Sequence, residues 1–336
     1  MDLSVLSDED LLKLRFCDLP IDLLASEVYP LIEQLYAELA AKQLLLKPPC
    51  YFADEWFSPE GETIIAVPFY LGHPRLKRLE QSLMYEVEGA SPEWAMKILR
   101  HEAGHAMQHA FRLHKNRKLV KVFGKEKKYD PDTYTYRIYS KSYVRNIDDG
   151  YAQSHPDEDF AETFAVWLNP SSNWKEHYRG WPALRKLQAM DVLMGTLADK
   201  TPLVTAGSFP YACAKSKKRL STHYQSKRKL YAQKLPDFWD HDLRKLFGPE
   251  PYNAQSPKAH LFLLSRREAL LEATVAWSSM PKYTVSNLLK AITVRAKALG
   301  LFVNKPVEQS ALQVATYLTG LIFNYNYTGK YKGHSR

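Results

Sequence analysis

The chain has 336 residues, 45% of them hydrophobic and 25% charged, with 21 Tyr and 7 Trp, which supplies a sizeable core and excludes a disordered polymer. Its formal net charge of +9 suits nucleic acid, anionic membranes or acidic proteins as contacts without selecting among them. Three scattered cysteines, Cys17, Cys50 and Cys213, exclude a disulfide framework and fit a reducing compartment.

No run of 18 apolar residues occurs. The most apolar tail segment, 311–323, is too short to span a bilayer and carries Gln313 and Thr316. The opening MDLSVLSDEDLLKL is acidic and lacks a basic stretch followed by an apolar one, so no signal peptide is expected. A cytoplasmic location is the expectation, with length enough for two domains or one large one.

In chain order, a short helix is expected at 7–16, capped by Ser7. A longer one at 30–46 is opened by Pro30 and striped by Ile32, Leu35, Tyr36 and Leu39. Pro48-Pro49 breaks it. Strands are expected at 50–57 and 62–71, joined by a turn with Pro59 and Gly61. Pro68 demotes the second to an edge strand. That edge either pairs with an extended peptide or belongs to a small hairpin covering the next helix. A helix at 74–88 follows. Then SPEWAMKILRHEAGHAMQHAFRLH reads as a helix with Ser91 as cap and Pro92 first. Trp94, Ile98, His101 and His105 share one of its faces.

Residues 118–150 read as irregular, with Tyr129, Tyr134, Tyr136, Tyr139 and Tyr143; a loop this long is often functional. In 151–170, Pro156 starts a helix, Asp157, Glu158 and Asp159 suit its first turn, and Phe160, Phe164 and Trp167 form its apolar stripe. A further helix is expected at 182–199. Beyond about 205 the composition shifts to the basic tract 214–234 and to helices at 257–277, 286–299 and 307–324.

HEAGH, residues 101–105, places two imidazoles at i and i+4, where they can hold one Zn²⁺ ion. Glu102 lies about 100° further round and can reach a water on that ion. The competing reading is an amphipathic helix with two satisfied core histidines. A third ligand has to come from elsewhere. Glu158 and Glu162, an E-x-x-x-E pair on one face, supply it. Glu158 is the expected ligand and Glu162 the hydrogen-bond partner of a zinc-bound imidazole; swapped roles are the main alternative. His155 is a lesser candidate, held outside the helix by Pro156. His109 and His114 read as surface or packing residues.

HEAGH followed by Y-x6-E-x-F-A-E resembles the lethal-factor-type gluzincin metallopeptidases. In that pattern a tyrosine seven residues before the glutamate faces the metal, which implies Tyr151. The chain is also similar to the bacterial putative zinc-binding metallopeptidase family in IAVPFYLGHP (65–74), HEAGHA, YAQSHPDEDFAETFAVWL and GWPALRKL (180–187). This resemblance covers roughly 8–200.

The expected fold is α+β and predominantly helical. A zincin-like catalytic domain at 1–205, with a small edge-stranded sheet and an active-site helix, precedes a basic all-helical extension at 206–336. The expected function is zinc-dependent hydrolysis of peptide bonds in a protein or peptide substrate, with Glu102 as general base and Tyr151 as oxyanion donor. The alternative is a zinc-binding regulator, or a nucleic-acid-associated protein using 214–234, where Tyr211, Tyr224 and Tyr231 could stack on bases.

Overall fold

The structure, a computed structural model, describes residues 1–124, 137, 139–147, 150–205, 207–231, 240–278 and 280–328. Tyr129, Tyr134 and Tyr136 of the expected loop, and 232–234 of the basic tract, lie outside them. The fold is predominantly helical α+β, as expected. The chain divides into two compact units: Met1–Leu83 with Val87–Tyr224, and Met84–Glu86 with Gln225–Arg336.

The first unit opens with α1 (Asp8–Lys13), where Ser7 Oγ accepts the Asp10 N–H at 3.1 Å. Helix α2 (Tyr29–Ala41) stops five residues short of the expected 46, because Gln43 turns to a left-handed φ of 57°. Strands β1 (Cys50–Ala53) and β2 (Ile65–Pro68) pair in parallel, from Cys50 opposite Ile65 to Ala53 opposite Pro68. The expected hairpin is therefore not formed. Residues 54–64 cross over instead, and Phe57 returns antiparallel on the other side of β2, its carbonyl accepting the Ala66 N–H at 2.8 Å. All four β2 residues are buried. Among the described residues the sheet has two strands, so β2 is an edge strand as expected, with Phe57 bridging its free side at Ala66.

Helix α3 (Pro74–Met84) leads to α4 (Pro92–Ala110), capped by Ser91 Oγ on the Trp94 N–H. After α4 come α5 (Arg117–Phe123), within the stretch expected to be irregular, then α6 (Pro156–Leu168), α7 (Trp174–His177), α8 (Ala183–Leu197) and α9 (Leu220–Tyr231). Helix α4 is buried almost all round and packs on α2, β2 and α6. Arg100 on α4 reaches Glu38 on α2 through two hydrogen bonds of 2.7 Å. Both side chains are buried, so each charge depends on the other. Helix α6 is held on its far side by α8: Lys186 bonds Asp159 at 2.6 Å, and Trp167 Nε1 donates to Asp191 at 2.8 Å.

Gly104 sets how close α4 and α6 come. A Cβ there would stand 2.8 Å from Ala161 Cα, inside any tolerable contact, so only glycine allows this separation. After α8 the chain runs back over the unit. The N–H groups of Leu203 and Val204 donate to the Ala110 carbonyl at the end of α4, Tyr51 donates to the Pro210 carbonyl, and residues 216–220 pair with 14–17.

The second unit contains α10 (Asp240–Leu246), α11 (Ala259–Ser265), α12 (Arg267–Val275), α13 (Lys282–Ala298) and α14 (Val307–Thr328). The helix expected at 257–277 is broken at Arg266 into α11 and α12. Helix α13 starts four residues before the expected cap, leaving Ser286 inside it, buried and accepting from Arg267. The core of this unit is apolar and centred on Leu288, Leu289, Ile292, Phe262, Leu318 and Ile322. Among the described residues, no helix is long and apolar enough to cross a membrane. The three cysteines are free.

Candidate metal centre

Two local features aim the site. On α4, His101 and His105 sit one turn apart, with ring centroids 4.8 Å apart. On α6, Pro156 begins the helix and His155 caps it, its Nδ1 accepting the Asp157 N–H at 3.2 Å. Three consecutive acids in the first turn then diverge. Asp157 accepts from Gln108 at 2.6 Å on α4, Asp159 faces Lys186 on α8, and Glu158 between them points at the histidines.

Glu158 Oε2 lies 3.0 Å from His101 Nε2 and 3.3 Å from His105 Nε2, and the two nitrogens are 3.1 Å apart. These three atoms form a nearly equilateral triangle. A tetrahedral ion bound at about 2.0 Å separates its ligand atoms by about 3.3 Å. The triangle has that size, and its donor set, two imidazoles and one carboxylate, is one that zinc accepts at catalytic sites. This His101–His105–Glu158 group could hold a metal ion. His155, spent on the helix cap, stands outside the group.

Glu162 is fully buried and lies on the other side of His101. Its Oε1 faces His101 Nδ1 at 2.8 Å and accepts from Asn146 Nδ2 at 2.9 Å; its Oε2 accepts the Ile147 N–H at 3.1 Å. With Nδ1 engaged, Nε2 is the nitrogen left for the triangle. Burial alone would make His101 harder to protonate, but its hydrogen bonds to Glu158 and Glu162 outweigh it and lift its pKa to about 10. Burial pushes the Glu158 carboxyl up, and the bonds from His101 and His105 overcome that and hold it far below the usual range. Both shifts express one field: the two carboxylates favour positive charge on His101, and the imidazoles beside it favour negative charge on Glu158.

Glu102 is buried beside them. Burial raises its pKa, the charges of His101 and His105 pull it down, Glu158 raises it, the Ser58 N–H lowers it, and the net shift is upward. Its Oε2 has no hydrogen-bond partner. A buried carboxylate oxygen left unpaired is costly, and a partner arriving with the metal, a water above all, removes that cost. Ser58 belongs to the crossover between β1 and β2, which also meets α4 at His109, whose Nδ1 accepts the Gly61 N–H at 3.3 Å. Tyr151 opens a short 3₁₀ turn before α6, its ring tilted 50° and 5.5 Å from that of His101.

The structure thus gathers His101, Glu102, His105, Tyr151, Glu158 and Glu162 around one point. Sequence reasoning missed Asn146, the Ile147 and Ser58 main-chain groups and the spacer Gly104. Of these, only Gly104 had a visible signal, a glycine between two histidines on a helix.

Residues 96–177 match the family model described as "Putative zinc-binding metallo-peptidase". The match runs from inside α4 to the end of α7 and contains all six residues, so the family resemblance holds over this stretch. No curated protein and no solved structure matches the chain. The matched stretch and the metal group together support a metallopeptidase acting on protein or peptide. Nothing in the comparisons supports nucleic-acid contact.

Proposed function

We propose that this protein is a zinc-dependent, gluzincin-like metallopeptidase that hydrolyses peptide bonds at the His101–His105–Glu158 group, with one ion per chain. The observation that carries this reading is the donor triangle with an unpartnered Glu102 oxygen beside it. Three protein ligands leave one position of a tetrahedral ion for water, the mark of a catalytic site. A bound zinc ion supplies there an acidified water and a Lewis-acidic contact for the scissile carbonyl.

The chain's residues do the rest. Glu102 takes the water's proton on Oε2 and then passes it to the leaving amine. Tyr151 donates a hydrogen bond to the developing oxyanion. Glu162 fixes the tautomer and the orientation of the His101 ring.

The test is digestion of a broad peptide library with zinc-loaded protein, with and without chelator. Wild type cleaves, and chelator stops it. Glu102→Gln keeps its zinc and loses about 10²–10⁴-fold in rate; His105→Ala loses both metal and activity. Full peptidase activity in Glu102→Gln sinks the mechanism. Stoichiometric zinc with no cleavage of any peptide points instead to a zinc-binding regulator.

A further inference from the structure

Glu162 can orient His101 only if Glu162 is itself held. It sits on α6 with no exposure, and its donors besides His101 come from the loop 140–147: Asn146 Nδ2 and the Ile147 N–H. Asn146 Nδ2 also approaches the Lys97 carbonyl on α4, at 3.3 Å. The two hydrogens of one amide are therefore divided between the helix bearing the histidines and the helix bearing the glutamates. No other side-chain type of this size donates twice from one atom without carrying charge.

The loop is fixed from its other side. The Tyr178 hydroxyl accepts the Arg145 N–H at 3.0 Å and reaches back to the Arg145 carbonyl at 3.4 Å. The Ala183 N–H, at the start of α8, donates to the Lys141 carbonyl at 3.1 Å. The Trp181 ring faces the Arg145 guanidinium at 5.3 Å. These contacts of Tyr178 and Trp181 with the loop bear on where Asn146 stands.

We propose that Asn146 is a positioning residue for the metal centre, and that Tyr178 holds the loop that delivers it. The mechanical path runs from Tyr178 through residues 145–147 to Glu162 and on to the His101 ring. This rests on the zinc reading above. An outer partner of a metal-bound imidazole contributes about 10–100-fold to metal affinity. Here that contribution is shared with the group that keeps the partner in place.

The experiment is zinc affinity by competition with a chromogenic chelator, on the full chain, with an NMR readout of the His101 Nδ1–H proton in the zinc-loaded form. Wild type shows a slowly exchanging proton bonded to Glu162. Asn146→Ala and the isosteric Asn146→Asp each weaken zinc about 10-fold or more and broaden that proton by exchange. Tyr178→Phe removes a single oxygen and weakens zinc about fivefold, the equivalent of one ordinary hydrogen bond. It carries the test if the Asn146 variants fail to fold, as circular dichroism will show. If Asn146→Asp and Tyr178→Phe bind zinc as wild type does and keep the sharp proton, the proposal is overturned, because space-filling alone was their role. If wild type itself takes up no zinc, the zinc reading fails and this inference falls with it.

Discussion

Around α4, the first unit buries Arg100, His101, Glu102, Gln108, Asp159 and Glu162, along with Glu38. Around α13, the second unit buries mainly leucine, isoleucine and phenylalanine; two of its buried hydroxyls turn back on their own helices, Thr274 donating to the Leu270 carbonyl and Thr293 to that of Leu289, and its buried carboxylate, Asp242, accepts from Tyr317. The second interior follows the ordinary rule, in which area removed from water supplies the stability. The first holds charge where charge is expensive. Arg100 with Glu38, Glu162 with His101 and Asp159 with Lys186 are each tolerable only while the partner stays in place.

Removing one member of the Arg100–Glu38 pair breaks the first interior most severely. Glu38→Ala leaves a buried guanidinium alone and costs about 3–5 kcal/mol in urea unfolding, whereas a double replacement by Met and Leu recovers much of the loss. In the second interior, Leu288→Ala costs about 2–5 kcal/mol by leaving a cavity, while Leu288→Met costs less than about 1.5 kcal/mol. Equal losses for a conservative swap in both interiors would erase the distinction.

One substitution sharpens the comparison because its sign reverses. Gly104→Ala forces α4 and α6 apart, costs about 1–3 kcal/mol, and lowers zinc affinity by moving Glu158 from the histidines. Gly320→Ala, on α14, meets nothing within 4 Å and gains up to about 1 kcal/mol from helix propensity.

The smallest effect is acid sensitivity. Burial, and next the charge of His105, press the His109 pKa down to about 4 from 6.5. Between those values the unfolded chain binds a proton that the folded chain refuses. This stabilisation is therefore complete above about pH 6.5 and is lost as pH falls towards 4. His109→Gln, which keeps an acceptor for the Gly61 N–H, flattens that slope by on the order of 1 kcal/mol, after screening at its partly exposed position is allowed for. An unchanged acid-unfolding curve would remove this term.

What was readable in advance was local. Ser91, Pro92 and the i,i+4 histidines announce α4 because capping and ligand spacing depend on neighbours a turn away. Pro156 and the run of three acids announce α6 for the same reason. What stayed hidden was set by distant packing. β1 and β2 pair in parallel while Phe57 bridges the other side of Ala66, and a strand-turn-strand pattern reads as a hairpin whichever way the chain crosses over. The helix start at Lys282 overrode the cap signal of Ser286, since burying Ser286 against Arg267 outweighs a local preference. Asn146 carried no mark, because a loop asparagine looks the same whether it meets solvent or a buried carboxylate.

The pairing of residues 14–17 with 216–220 bears on how small an autonomous version of the first unit can be. A truncation at 205, where the composition changes, would discard the partner of the N-terminal segment and expose Phe16, whose ring packs edge-on against Phe69 beside β2. Such a fragment would keep His101, His105 and Glu158 and still lack the clasp that closes the chain on itself. A fragment ending near 224 retains the clasp. Protease footprinting of the full chain should accordingly find residues 216–220 protected by their pairing with 14–17.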